Sequence, residues 1–276
     1  MQITILSGKG GTGKTTISTN LAKVMKARYI DCDVEEPNGF IFLKPDIEES
    51  SDVFIPVPKV DKDKCISCKK CVDRCQFNAL AFVNKEIVLF EKLCHGCGAC
   101  SLICPTDAIS EEQRIIGKTH KGKSDDLECL MGILNIGEPM AGPIISKLKK
   151  AIDEKTTIID SAPGSSCNVV KALIDSDYAI LVTEPTAFGL HDLKIAVELV
   201  RNMNIPFGVI INRADDYENI IVDYCMDENI KIIGIIPFSK QIAQLYSQGK
   251  LLIENNEYRN IFKKIIKELE GEIIWS

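Results

Sequence analysis

Nine residues near the N-terminus narrow the possible folds more than any other stretch of this chain. Gly8-Lys9-Gly10-Gly11-Thr12-Gly13-Lys14-Thr15-Thr16 has the spacing G-x-x-x-x-G-K-S/T. The run follows a β-branched segment, Ile3-Thr4-Ile5, and leads into residues 17–25, whose apolar spacing is helical. A glycine-rich loop between a strand and a helix lets backbone N–H groups curl around phosphate oxygens. The helix N-terminus behind it adds partial positive charge. Residues 8–16 are therefore expected to form a phosphate cradle. Within it Lys14 reaches the β- and γ-phosphates and Thr15 gives its hydroxyl to Mg²⁺.

At 276 residues, with 45% hydrophobic and 26% charged side chains, the chain can bury a substantial core. A formal charge of −6 disfavours a general nucleic-acid surface, which needs a basic face. No apolar run approaches the length of a bilayer span. Met1-Gln2 leads straight into a strand, leaving no room for a signal peptide, so a cytoplasmic protein is expected.

In a reducing compartment twelve cysteines point to metal ligation rather than disulfides. Eight of them lie between Cys65 and Cys104. Cys65, Cys68, Cys71 and Cys75 recur 29 residues later as Cys94, Cys97, Cys100 and Cys104, and Asn78-Ala79-Leu80 aligns with Asp107-Ala108-Ile109. This internal duplication has the spacing of a two-cluster ferredoxin. Cysteines at i, i+3 and i+6 wrap three corners of a cubane; the fourth lies too far along and crosses to the other cluster. One 4Fe–4S cluster is thus expected on Cys65, Cys68, Cys71 and Cys104, the other on Cys94, Cys97, Cys100 and Cys75. Zinc is the competing reading of paired CxxC, but it does not account for a three-plus-one pattern used twice. His95 reads as non-ligating, and Cys32, Cys129, Cys167 and Cys225 as small buried packing residues.

Around this insert the chain alternates regularly. Residues 28–33 read as a strand ending in acids. Asp33 there is placed to handle magnesium or water, or equally to cap a turn. Residues 53–58 read as an edge strand, because their prolines cannot donate to a ladder. Residues 59–64 form a junction, and the charged stretch 118–126 is the return from the insert. Residues 130–135 and then 141–148 read as a turn into a helix. The strand 156–160 ends in Asp160, expected to hold Mg²⁺ through water, with a helix cap as the competing role. Strands at 178–183, 207–213 and 231–237 alternate with helices near 188–202 and 217–229, and two helices close the chain. The last of these is read as core-packed, since Glu268 and Glu270 balance its lysines. Such a pattern specifies an α/β fold: a mostly parallel central sheet with helices on both faces. The expected units are residues 1–58 with 114–276, and a small α+β insert at 59–113.

A second lysine, Lys9, stands near the start of the loop. With Ser7 to Thr15 it resembles the deviant phosphate loop of the MinD/ParA/nitrogenase-iron-protein class of P-loop ATPases. With the insert, the whole chain resembles MinD-superfamily ATPases that carry a ferredoxin domain. Residues 31–38 and 160–164 are similar to the switch I and switch II segments of that class. The resemblance implies that ATP or ADP binds with Mg²⁺, and that Lys9 reaches across a face-to-face dimer to the partner's nucleotide. It implies that Asp33 orients the attacking water and that Asp160 holds the magnesium shell. Gly164 would sense the γ-phosphate, Asn212 would read the adenine edge, and Pro237 would cover the base. The chain departs from the Mrp-like carriers in lacking a CxxC pair in its C-terminal half. Cys167 matches the switch II cysteine of the nitrogenase iron protein, seven residues after the Asp, but the companion position reads Met140.

The expectation is a cytoplasmic ATPase acting as a homodimer or with a related subunit. Its Mg–ATP-driven rearrangement would be coupled to low-potential electron transfer to a partner protein through two 4Fe–4S clusters. The alternatives are an ATP-dependent iron–sulfur assembly or carrier factor serving an acceptor protein, and a redox-sensing regulatory ATPase. Neither nucleic-acid binding nor stable membrane insertion is expected.

Overall fold

A computed structural model describes residues 1–215 and 220–275. Its strands are β1 (Gln2–Leu6), β2 (Arg28–Asp31), β3 (Asp46–Val60), β4 (Leu80–Val83), β5 (Glu86–Leu89), β6 (Ile109–Ser124), β7 (Leu127–Leu134), β8 (Thr157–Asp160), β9 (Tyr178–Thr183), β10 (Phe207–Ala214) and β11 (Ile232–Pro237). Its α-helices are α1 (Lys14–Met25), α2 (Gly39–Leu43), α3 (Lys70–Arg74), α4 (Ala99–Leu102), α5 (Gly142–Lys149), α6 (Cys167–Leu173), α7 (Ala187–Asn202), α8 (Ile220–Asp227), α9 (Lys240–Ser247) and α10 (Asn256–Trp275).

Nine strands form one sheet in the order β11-β10-β9-β1-β8-β2-β7-β6-β3. Strands β11 through β7 run parallel, and β6 and β3 complete the edge in antiparallel fashion. Side chains alternate faces along each strand, which sorts the core into layers. Tyr178, Ile180 and Val182 of β9 face α1 and α10 with Ile17, Leu21, Phe262 and Ile265. Ala179 and Leu181 face α6, α7 and α8 with Leu173, Val197 and Cys225. The mostly parallel α/β sheet covered on both faces is thus as expected. Helix α10 packs as a core element through buried Tyr258, Phe262, Ile265 and Leu269. Among the described residues no helix is long and apolar enough to cross a membrane.

Around the insert the fold departs from expectation. The edge strand extends over all of Asp46–Val60, and the charged stretch at 118–126 is not a return loop but the end of β6 and its turn into β7. Residues 130–135, read as leading into a turn, mostly belong to β7. Charge hid these strands: β3 and β6 form a largely exposed ribbon whose polar side chains face water while the backbone pairs. The expected helix start at Tyr217 lies outside the described residues; α8 is described from Ile220.

That ribbon carries the insert. Its inner part, Gly117–Ser124 of β6, pairs with β7, whereas Ile109–Ile115 pair with β3 alone. A bulge at Ile116, between the Val53–Gly117 and Phe54–Ile115 pairs, marks where the ribbon leaves the sheet. Fifteen residues of β3 span about 50 Å at ~3.3 Å each. The cysteine segment follows the outermost rung, Val60 with Ile109.

One ion-pair cluster secures the opposite ends of β2 and β7. The Arg28 guanidinium, 4% exposed, bonds Glu128 at 2.8 Å, Asp153 at 2.8 Å and the Ala151 carbonyl at 2.9 Å. Its hydrogen bond holds the Asp153 carboxyl down at about 2. Arg28→Ala is expected to destabilise the fold by about 2–3 kcal/mol, because Glu128 stays largely buried and keeps only lysine partners. Denaturant midpoints of the two proteins measure the loss; an unchanged midpoint contradicts it.

Candidate functional site

The parallel register gathers the chemistry at one sheet edge. Strand β8 lies between β1 and β2, with Asp160 level with Ile5 on one side and Asp31 on the other. The loops after these three strands therefore emerge together, as ligand loops do at the carboxyl ends of open α/β sheets. Gly13 caps α1 at φ 94°, and a Cβ there would lie 2.3 Å from Asn212 Nδ2. A Cβ on Gly8 would lie 2.4 Å from the Asp192 backbone oxygen of α7. Lys14 is only 6% exposed, Thr15 and Thr16 are half-buried, and Gly10 and Gly11 form the open tip of the loop. Thr12 is buried, and its hydroxyl has no hydrogen-bond partner.

Behind the loop stands a buried acidic group. Tyr29 donates its hydroxyl to Asp160 Oδ2 at 3.1 Å and lies 3.4 Å from Asp31 Oδ2. Asp31 accepts the backbone N–H groups of Asp33, Asn38 and Gly39, pinning the loop that presents Asp33. Asp160 Oδ1 is buried and unpartnered. Burial, and then the charge of Asp160, push the Asp31 carboxyl well above the usual carboxylate range. Burial raises Asp160 too, against the pull of Lys14. Asp33 is pushed up to about 6, chiefly by burial, with Lys14 opposing and Asp160 adding. Three carboxyls beside one ammonium leave this edge short of positive charge. A hydrated Mg²⁺ matches that deficit and the orphaned Asp160 oxygen. Tyr29 and Asp31 were not singled out from sequence. Their signal was the i, i+2 spacing at the end of β2, which puts both on the face that Asp160 shares.

The other residues expected at a nucleotide lie in or just after β1, β8, β10 and β11. Lys9 Nζ sits 3.4 Å from Glu184 Oε2, and the other oxygen of that carboxylate, Oε1, pairs with Arg213 at 2.5 Å. Gly164 N–H donates to the Ser7 carbonyl at 2.8 Å, tying the segment after β8 to the glycine-rich loop. Asn212 donates Nδ2 to the Thr12 carbonyl at 2.7 Å. Pro237 is exposed beside it, level with Ala214. Cys32, Cys129 and Cys225 are buried, but Cys167 is exposed, a correction to its reading as a packing residue. It opens α6 just beyond the switch II loop, where its side chain meets solvent instead of a core.

Within the insert the duplication is visible in the backbone. Ser67, Lys69 and Asn78 have positive φ (55°, 63° and 51°), as do Gly96, Gly98 and Asp107 (64°, 72° and 51°) in the same order. Ala79 N–H donates to Cys75 Sγ and Ala108 N–H to Cys104 Sγ, both at 3.3 Å. Among the described residues no three His, Cys, Asp or Glu side chains close on a single ion. The eight cysteines instead surround two cavities. Cys65, Cys68, Cys71 and Cys104 line one. Cys94, Cys97, Cys100 and Cys75 line the other. In each, three cysteines come from one run and the fourth crosses from the other. Four thiols lining one pocket, with no three of them closed on a single ion among the described residues, fit the donor set of a cubane. His95 lines the second cavity with its ring stacked on Phe77, centroids 3.7 Å apart.

The profile of the CobQ/CobB/MinD/ParA nucleotide binding domain matches residues 3–253. The chain belongs to that family. Over its full length it is 35% identical to an uncharacterised protein of Methanocaldococcus jannaschii, covering 98% of that relative. It is 24% identical to an iron-sulfur cluster carrier protein of the same organism, over 98% of this chain and 86% of the relative. A 56-residue stretch, 20% of this chain, is 39% identical to 65% of pyruvate synthase subunit PorD of Methanothermobacter marburgensis. In fold the MinD/ParA-type chain is similar to the Pyrococcus furiosus cell division ATPase MinD, with TM-score 0.58, 18% identity and 98% of both chains covered.

Proposed function

We propose that this MinD/ParA-type protein hydrolyses Mg–ATP as a dimer and couples that cycle to low-potential one-electron transfer to a partner protein. On the nucleotide side, residues 8–16 cradle the phosphates, Lys14 contacts the β- and γ-phosphates, and Thr15 with Asp160 holds Mg²⁺. Asp33 orients the attacking water, and Lys9 leaves Glu184 to reach the partner subunit's nucleotide. Gly164 exchanges its bond to Ser7 for the γ-phosphate, while Asn212 and Pro237 receive the base. In the insert, taken as residues 59–113, Cys65, Cys68, Cys71 and Cys104 hold one 4Fe–4S cluster and Cys94, Cys97, Cys100 and Cys75 the other. Such clusters supply one-electron chemistry at potentials set by their surroundings.

The observation that carries this reading is the pair of crossed four-cysteine cavities on a ribbon continuous with the nucleotide-binding sheet. A path of contacts supports the coupling. Val34, next to Asp33, accepts the Leu134 N–H at 2.8 Å, and Asn135 N–H donates to Ile116 at the bulge at 2.9 Å. Glu138 pairs with Arg114 of the ribbon at 2.5 Å. Arg114 faces Ile55 across the ladder, and Gly96 of the second cysteine run packs so closely on Ile55 and Pro56 that a Cβ would lie 2.8 Å from the Pro56 carbonyl.

Anaerobic titration of the clusters, followed by electron paramagnetic resonance with and without Mg–ATP, tests the proposal. A shift of about 59 mV, a tenfold change in the one-electron equilibrium, is expected. Unmoved potentials overturn the coupling. The similarity to an iron-sulfur cluster carrier supports a second reading, in which the clusters are cargo. Labelled iron leaving the protein for an acceptor on ATP addition selects that reading.

A further inference from the structure

The two cysteine cavities differ in position and in charge. The second lies inboard: Pro58 and Glu111, one rung of the ribbon, line it, and Cys94 joins the apolar core that holds Ile30, Val53 and Ile144. The first lies at the tip, lined by Val60 and Ile109 of the last rung. Its rim is open to solvent, with Cys68 exposed and Ile66 63% exposed.

Lys69 and Lys70 line the tip cavity and no acid does, whereas Glu111 lines the inboard cavity and no lysine or arginine does. In a chain of net charge −6, residues 59–75 carry six Lys and Arg against three Asp. Lys59, Lys62 and Lys64 are neutralised by Glu112, Glu86 and Asp61. Lys69, Lys70 and Arg74 are exposed and have no ion-pair partner among the described residues; Lys69 lies over the Phe82 ring. Lys69 and Lys70 line the cavity beside exposed Ile66, and Arg74 closes the helix that Lys70 opens. Two cations and an apolar spot thus form a rim, extended by a third cation, that attracts and orients an acidic surface.

We propose that this rim, built on Lys69, Lys70 and Arg74 around Ile66, docks an acidic one-electron carrier protein. The proposal rests on the electron-transfer reading and adds to it the class of electron donor that supplies this chain, with its point of contact. The exchange is a single electron, lost by the carrier's reduced centre and gained by the group that Cys65, Cys68, Cys71 and Cys104 hold, with no bond or proton moved.

The test uses the full chain with its clusters assembled, an acidic two-cluster ferredoxin as probe, and a basic cytochrome as control. Calorimetry at low salt is expected to show binding to the ferredoxin, weakening as salt rises, and none to the cytochrome. The triple variant Lys69→Glu, Lys70→Glu, Arg74→Glu is expected to weaken that binding at least about tenfold. Charge reversal at Lys118, Lys194 and Lys263, away from the insert, is expected to leave it unchanged. Equal binding by the two triple variants, or no binding of the ferredoxin, overturns the proposal. Reduction by a small viologen separates the two levels. Clusters that accept viologen electrons at the same rate in both variants, but ferredoxin electrons more slowly in the first, locate the fault in docking. Clusters that accept electrons from neither reductant refute the electron-transfer reading itself.

Discussion

Cys104→Ser is expected to abolish the cluster bound to the first cysteine run, 33 residues or more before it, and to spare the cluster of its own run. The cause is the crossed arrangement, in which Cys104 lines the cavity of Cys65, Cys68 and Cys71. Iron should fall from about eight to about four atoms per chain, with one spectroscopic signal lost. Cys75→Ser should remove the other signal. Double variants decide the assignment. Cys104→Ser with Cys65→Ser should lose no more iron than either single change, whereas Cys104→Ser with Cys94→Ser should lose nearly all of it. The reverse additivity would show that each run closes its own cluster.

Lys9→Ala is expected to slow ATP hydrolysis by about a thousandfold or more while nucleotide still binds the isolated subunit. In the structure its half-exposed ammonium rests on Glu184 and makes no ion pair or hydrogen bond with residues 10–16, so removal is expected to leave that loop folded. Single-turnover hydrolysis and equilibrium nucleotide binding separate the two effects; a parallel loss of binding would place Lys9 in the ground-state site of its own subunit.

Asp33 adds a pH signature. Its carboxyl, held near 6 by burial, must be ionised to accept a proton from water. Hydrolysis is therefore expected to fall as pH drops below about 6, and Asp33→Asn to be slow and flat across that range. The sign for stability is opposite. Between its ordinary value near 4 and about 6, the folded chain holds a proton that the unfolded chain has released. This group therefore lowers stability as pH rises through that window.

Much of this protein was legible in its sequence because the signals were local. A phosphate loop is specified by glycine spacing within one turn. The alternation of apolar strands with helices predicts the parallel sheet, since each strand's burial is written in its own residues. The three-plus-one cysteine pattern anticipated the two four-cysteine groupings, because three cysteines of each group lie within seven residues and the fourth of each run stands too far along to join them. What sequence could not supply was set by pairing across long separations. The ladder of β3 with β6 joins residues 64 apart at Val53–Gly117, and its polar, exposed side chains carry no periodic mark of a strand. Only the tertiary structure placed Lys9 on Glu184, brought Asp31 and Tyr29 behind Asp160, and set the tip cavity outboard of the other. Local chemistry determined which groups this chain can hold. Strand order and register decided which of them meet, because backbone pairing brings together residues whose own neighbours along the chain give no sign of it.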